Sequence, residues 1–297
     1  MSGIPPMIDL EPARLGSAAD RAAVARALDR ACRETGAFAV SGHGIDDAVF
    51  NDVYGELARF FARPQAEKDF CRLATGFTMS ADEYTPYGYS GLLEENAYAY
   101  MGEPDRPADY VEKYSTGRLV LDDATPLPFN GDAGGLSLRA ALKRYYRAAD
   151  GLSSLLTGLF TIPLDLPPDF FATHTDQSND SMRCHLYPAR DPSFANDQGM
   201  GNHTDGSLIT LLTHTGPGVR IRTLDGEWVE PALPTNREVI VNVGDLLTHW
   251  SGNRYPATPH GVVLTSRPRY SIAFFKLTNE DEMVSVGNKQ MDALFGR

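Results

Sequence analysis

Apolar residues recur at helical spacing in three stretches of this chain and alternate through much of its last third. Between Ala19 and Thr35, the residues Ala23, Val24, Ala27, Leu28 and Ala31 form one stripe, and Gly36 supplies a stop. Ala37-Phe38-Ala39-Val40 then reads as a buried strand, ending in a Gly42-His43-Gly44 turn. A second helix carries Val49, Val53, Leu57 and Phe60 on one face, with Pro64 just past its end. The longest seam, from Leu138 through Leu142, Tyr145, Ala149, Leu152 and Leu156 to Leu159, alternates steps of four and three. That spacing predicts a long helix lying on a broad surface such as a sheet, and Gly151 and Gly158 disfavour a coiled coil. Tyr84 to Tyr100, rich in tyrosine and interrupted by glycines and a proline, reads as an irregular loop.

From Met182 onward, short alternating segments with turn signals predict a β-sandwich or barrel. Val219 to Leu224 and Glu227 to Val229 flank Asp225-Gly226, the signature of a hairpin with a tight turn. Val239, Val241 and Val243 alternate up to Gly244-Asp245, and Arg269 to Phe275 alternates as well. No long linker or internal repeat divides the chain, so residues 1–297 read as a single domain. A helical N-terminal region occupies about residues 1–120 and a β-core about residues 180–280.

Composition narrows the partners. With 42% hydrophobic and 22% charged residues, the chain has the make-up of an ordinary soluble globule. A formal charge of -12 without any basic run argues against nucleic acid, while leaving room for a local basic pocket that binds a small acid. Cys32, Cys71 and Cys184 are too scattered for a disulfide framework and read as reduced thiols. The N-terminus MSGIPPMIDL has no basic stretch before an apolar core, and no apolar run is long enough for a bilayer. The expectation is a cytoplasmic protein, monomeric or a weak homodimer, with no membrane partner.

The chemistry gathers in His203-Thr204-Asp205. On a strand, residues two apart share a face, so His203 and Asp205 can offer a nitrogen and an oxygen to one ion while Thr204 points away. A second histidine would complete a set suited to non-haem Fe(II) and oxygen. His43 lies in the helical region, His174 in a polar loop, and His214 a strand length away. His249 adjoins Trp250 as a packed core histidine would, and His260 precedes the strand Gly261-Val262-Val263-Leu264. Spacing alone leaves both of these open as the third ligand. Arg269 and Ser271 also sit two apart on a strand, where a guanidinium and a hydroxyl can grip a carboxylate.

Taken in order, these segments resemble the Fe(II)- and 2-oxoglutarate-dependent dioxygenase superfamily, in its isopenicillin N synthase-like branch. The likeness runs through GAFAVSGHGI (36–45), FFARPQAEK (60–68), HTDGSLITLL (203–212), Asn242-Val243-Gly244-Asp245 and RYSIAFF (269–275). It implies a double-stranded β-helix, or jelly roll, wrapped by N-terminal helices and braced by the leucine-seam helix. It also implies His260 as the third iron ligand beside His203 and Asp205. Arg269, Ser271 and Tyr187 would then bind the far carboxylate of the 2-oxoglutarate co-substrate. The implied reaction spends O2 and 2-oxoglutarate to oxidise a C–H bond of a small molecule, by hydroxylation as the default and by desaturation or ring closure as variants, in secondary metabolism. Two positions depart from the pattern: Gly261 stands where an arginine is common, and His185 where the plant members often have asparagine.

Three rival readings share some of these residues. Isopenicillin N synthase-like oxidases keep Arg-x-Ser without 2-oxoglutarate, and ascorbate-using oxidases are similar. A jelly-roll binding protein without turnover would not need all three ligand positions filled. A zinc hydrolase can use two histidines and a carboxylate, but has no use for the Arg-x-Ser strand. Substrate contacts are expected from the tyrosine-rich segment near Tyr87 and Tyr89, from Asp109 to Tyr114, and from the tail after Asn279.

Overall fold

A computed structural model describes residues 5–72, 87–122, 132–193, 197–231, 233–235 and 237–280. Tyr84 and the tail beyond residue 280 lie outside the described residues. The elements run β1 (Met7–Asp9), α1 (Glu11–Leu15), α2 (Ala18–Glu34), β2 (Ala37–Ser41), α3 (Asp47–Phe61), α4 (Gln65–Asp69), β3 (Gly88–Ser90), α5 (Ala97–Tyr100) and β4 (Glu112–Gly117). They continue with α6 (Ala133–Phe160), α7 (Phe170–Thr175), β5 (Ser181–Tyr187), β6 (Gln198–His203), β7 (Ile209–His214), β8 (Val219–Arg222), β9 (Trp228–Val229), β10 (Val239–Val243), α8 (Asp245–Trp250), β11 (His260–Val263) and β12 (Arg269–Lys276).

The strands form an eight-stranded sheet, ordered β1-β2-β10-β7-β12-β5-β4-β3, and a four-stranded sheet, β6-β11-β8-β9. From β5 onward the chain passes repeatedly between the two sheets, as a jelly roll requires. The N-terminal third is less purely helical than its apolar pattern predicts. It adds β1 and β2 to one edge of the long sheet and β3 and β4 to the other. The segment expected to be an irregular loop accordingly contains β3 and the short helix α5, and Tyr89 packs in the core against Phe60.

Two apolar clusters divide along the faces of the long sheet. On the helix side, Met182, Cys184, Val239, Val241, Val243, Ile272 and Phe274 pack with α2, α3 and α6. On the other side, Tyr187, Leu212, Ile240 and Ala273 meet Val219, Ile221 and Val262 of the short sheet. α6 extends the predicted seam, and all seven seam residues are buried. Asp132 caps it by accepting from Gly135 N at 2.8 Å, and Tyr146 packs edge-on against Phe274.

Local chemistry explains the boundaries. α2 starts with a reciprocal box between Ser17 and Asp20. Its buried stripe takes in Ala25 and Cys32, while Ala23 is exposed, a small rotation from the predicted face. Gly36 ends it at φ +67, where a Cβ would collide with Thr258 Oγ1 and sit 2.8 Å from the Pro256 carbonyl. The β8–β9 hairpin departs from the expected two-residue turn: the turn closes from Gly226 N to Thr223 O at 2.9 Å, around Leu224 and Asp225. Gly226, at φ +93, then takes the left-handed position.

Candidate metal centre and co-substrate pocket

His203 is the last residue of β6, and Asp205 stands just beyond it, where the chain leaves the short sheet for β7 of the long one. The stretch from His203 to Leu212 is therefore split between two sheets, not one continuous strand. The Asn242-Val243-Gly244-Asp245 segment holds this crossing in place. Gly244 N donates to Leu208 O at 3.0 Å and Asp245 N to Asp205 O at 2.8 Å. Any side chain at Gly244 would strike the Ser207 carbonyl. Thr204 does point away, donating from Oγ1 to Asp245 at 3.1 Å.

β11 pairs with β6 so that His260 lies opposite His203, with ring centroids 4.4 Å apart. His203 Nε2 is 3.6 Å from Asp205 Oδ1 and His260 Nε2 is 3.5 Å from Oδ2. One atom from each of the three residues can be chosen so that all lie within 4.8 Å of one another, a group able to hold a metal ion. His249, the alternative left open by spacing, is exposed on α8. His43 Nε2 binds the Arg237 carbonyl, and the His174 ring packs on Phe170.

The backbone sets the tautomer of both site histidines. His203 Nδ1 lies 2.9 Å from Gly201 O and His260 Nδ1 lies 3.0 Å from Thr258 O. A carbonyl only accepts, so each Nδ1 carries a proton, and in the neutral ring each Nε2 turns its lone pair toward Asp205. Burial, then the neighbouring His260, lowers the His203 pKa to about 4, so its ring is neutral at ordinary pH. Asp205 is 5% exposed, and its Oδ2 has no hydrogen-bond partner. A buried carboxylate oxygen beside two unprotonated nitrogens fits a divalent cation, which would satisfy all three.

Supports reach back through the fold. Asp109 Oδ1 accepts from Gly201 N at 2.7 Å and its Oδ2 from Ala97 N at 2.8 Å, tying β6 to α5. Asp109, which begins the stretch expected among the substrate contacts, anchors the strand whose Gly201 carbonyl orients His203. On the other ligand, Asp29 of α2 accepts from Arg254 Nη2 at 2.6 Å and Tyr255 OH at 2.8 Å, fixing the segment that leads to Thr258 and His260. Gly261 faces Asn202: a Cβ there would fall 2.5 Å from its Oδ1, so Asn202 occupies the place beside the second histidine.

A second polar group lies on the chamber face of the long sheet. Arg269 stands opposite Tyr187 and Ser271 opposite His185. Opposed residues on antiparallel strands share a face, so these four side chains form one patch. Arg269 is 2% exposed and makes no hydrogen bond to a carboxylate among the described residues; Glu230, which accepts from Gly218 N, acts on it only through its field. Its guanidinium covers the Tyr187 ring at 4.8 Å and its Nη1 donates to Pro217 O at 3.4 Å, while Nε and Nη2 have no partner. Burial lowers its pKa, the mark of a cation kept from water. Tyr187 OH points to Met200 Sδ at 3.8 Å, so what the tyrosine offers Arg269 is its ring face. Ser271 Oγ is 3.3 Å from His185 Nδ1. Burial, then Lys113 and Arg183, push the His185 pKa far down. His185 also feels His203, and so links this patch to the triad.

Residues not anticipated from sequence complete the chamber. Lys113 stands opposite His185 and is ion-paired with Glu95. Arg183 lies over the Phe275 ring at 5.2 Å. Only the alternation of β5 and β12 could have signalled Arg183.

Comparison with known proteins agrees with this geometry. Residues 5–130 match the model of the N-terminal region of non-haem dioxygenases described for morphine synthesis, and residues 178–278 match that of the 2OG-Fe(II) oxygenase superfamily. A homoarginine-6-hydroxylase of Arabidopsis thaliana is 30% identical over 278 residues, covering 89% of this chain and 79% of the relative. Gibberellin 20 oxidase 2 of Oryza sativa is 27% identical over 281 residues, covering 94% and 69%. A full-length Neurospora crassa protein solved in complex with alpha-KG superposes with a TM-score of 0.82 at 22% identity, covering 97% of this chain and 89% of that one. That likeness carries the fold.

Proposed function

The chain belongs to the 2OG-Fe(II) oxygenase superfamily, and on that premise we propose that it hydroxylates an unactivated C–H bond of a small molecule, with iron held by His203, Asp205 and His260. It is an enzyme, a dioxygenase that uses Fe(II), 2-oxoglutarate and O2 and acts on small molecules. The observation that carries the assignment of residues is the pairing of two incomplete sites within one chamber. Asp205 Oδ2 is buried without a hydrogen-bond partner between two imidazoles, and Arg269 Nε and Nη2 are buried without one on the facing sheet. Iron and a dicarboxylate would satisfy both.

When bound, the metal and 2-oxoglutarate supply the oxidising power: the 2-oxo acid becomes succinate and carbon dioxide as O2 is consumed, and one oxygen atom goes to the substrate. The chain supplies geometry. Gly201 and Thr258 carbonyls hold the two imidazoles with Nε2 toward the metal. Arg269 offers two free N–H edges for a two-pronged grip on the far carboxylate, with Ser271 Oγ beside it. Leu212, Ile240, Val219, Ile221 and Val262 line the space between the sheets and exclude water from the reacting atoms. A place in specialised metabolism is supported by the kinds of relative that match, a homoarginine hydroxylase and a gibberellin oxidase.

Anaerobic addition of Fe(II) and 2-oxoglutarate tests the assignment through a visible charge-transfer band, followed by succinate release on admitting oxygen. Arg269→Ala should abolish the band at moderate 2-oxoglutarate concentration, and His260→Ala should abolish metal binding. An undiminished band in Arg269→Ala, or metal binding that survives His260→Ala, would overturn the residue roles.

A further inference from the structure

Ser271 is flanked by two histidines. β12 pairs with β5 on one side and β7 on the other, so Ser271 stands opposite both His185 and His214. Both imidazoles therefore project from the chamber face beside the serine hydroxyl. His185 is engaged with Ser271, but neither ring nitrogen of His214 has a hydrogen-bond partner, although the residue is only 8% exposed. The other buried charges of the sheet are matched: Lys276 meets Asp180 at 2.9 Å, and Lys113 meets Glu95. Around Arg269 and His214, by contrast, Arg269 Nε and Nη2 and both His214 ring nitrogens lie buried without a partner.

We infer that His214 belongs to the co-substrate site, donating an N–H to the far carboxylate of 2-oxoglutarate alongside Arg269 and Ser271. This rests on the reading of Arg269 given above. A carboxylate has about four lone-pair sites: a forked guanidinium fills two and a hydroxyl a third, and with Tyr187 OH turned to Met200 Sδ instead of the carboxylate the fourth is open to another donor. The imidazole suits that role because it is neutral. Burial, then the charge of Arg269, lowers its pKa to about 4, against a weaker pull from the Gly216 backbone, which is too poorly placed to make a hydrogen bond. A neutral ring gives one N–H without placing a second cation against Arg269. His214 thereby favours a diacid over a 2-oxo acid with an uncharged tail.

The test compares 2-oxoglutarate with 2-oxopentanoate, which keeps the keto-acid head and chain length but lacks the far carboxylate. Both are titrated anaerobically by calorimetry into the full-length, Fe(II)-loaded protein. His214→Leu should weaken 2-oxoglutarate about 10- to 100-fold, the worth of one hydrogen bond to a charged group. It should leave 2-oxopentanoate and metal affinity unchanged. His214→Gln, which keeps an N–H donor, should recover most of the loss. If the leucine variant does not fold, His214→Asn gives the same comparison with a polar but shorter side chain. Equal weakening of both acids, or unchanged 2-oxoglutarate affinity in a folded variant, overturns the inference. Wild-type protein that binds metal yet does not prefer 2-oxoglutarate overturns the reading of Arg269 instead.

Discussion

On β12, Ile272 and Phe274 turn toward the helices, while Arg269, Ser271 and Ala273 turn toward the short sheet. The helix face is close-packed and apolar, and a hydroxyl there such as Thr213 is met by Tyr54 at 2.8 Å and Tyr145 at 2.9 Å. The chamber face holds groups that the protein itself leaves unmet: Arg269 Nε and Nη2, both nitrogens of His214, His185 Nε2 and Asp205 Oδ2. Unmet buried groups cost stability. The comparison therefore assigns the two faces different tasks: one holds the protein together, and the other is completed by ligands.

Three experiments press on that division. The largest effect is expected from Phe274→Ala, which opens a cavity against Tyr146 and should cost about 3–5 kcal/mol in urea unfolding. Folded Phe274→Ala should bind 2-oxoglutarate normally; a selective loss of that affinity would break the comparison. Next, Arg269→Met replaces an unmatched buried cation by an apolar chain of similar reach. The metal-free protein should gain about 1–4 kcal/mol while losing its grip on 2-oxoglutarate. A variant less stable than wild type would mean that Arg269 is already satisfied within the fold.

The most gradual effect is the acid lability of the metal-free protein. His203 and His214 are held at about 4 and His185 well below the ordinary 6.5, so the unfolded chain takes up protons that the folded one refuses. Their contribution is intact above about pH 6.5 and is lost progressively as pH falls toward 4. Urea melts at successive pH values read it directly, and a flat profile between pH 7 and 5 would contradict it.

The same division explains what could be read from sequence. α2, α3 and α6 were legible because their stripes face an apolar layer and repeat within the chain's own near neighbourhood. β6 was not, since Gln198-Gly199-Met200-Gly201-Asn202-His203 carries no alternation that names a face. β1 and β3 are three-residue edge strands, and β4 is a polar strand held between β3 and the distant β5. His203 and Asp205 stood out as a local pair, but the choice of His260 over His249 needed family order. What joins His260 to His203 is strand pairing between residues far apart in sequence. His214 read as merely distant from the pair because its neighbour, Ser271, is set by the β7–β12 register.

That register also decides which sulfur faces the oxidant. Cys184 lies between Arg183 and His185, yet its thiol is packed on the helix side, where burial pushes its pKa up and keeps it protonated. The sheet thus acts as a shield, with one strand's thickness between the oxygen-activating chamber and Cys184. On the unshielded side the sulfur is Met200, a thioether whose oxidation is reversible. Damage from turnover without substrate should therefore begin at methionine and spare the thiols.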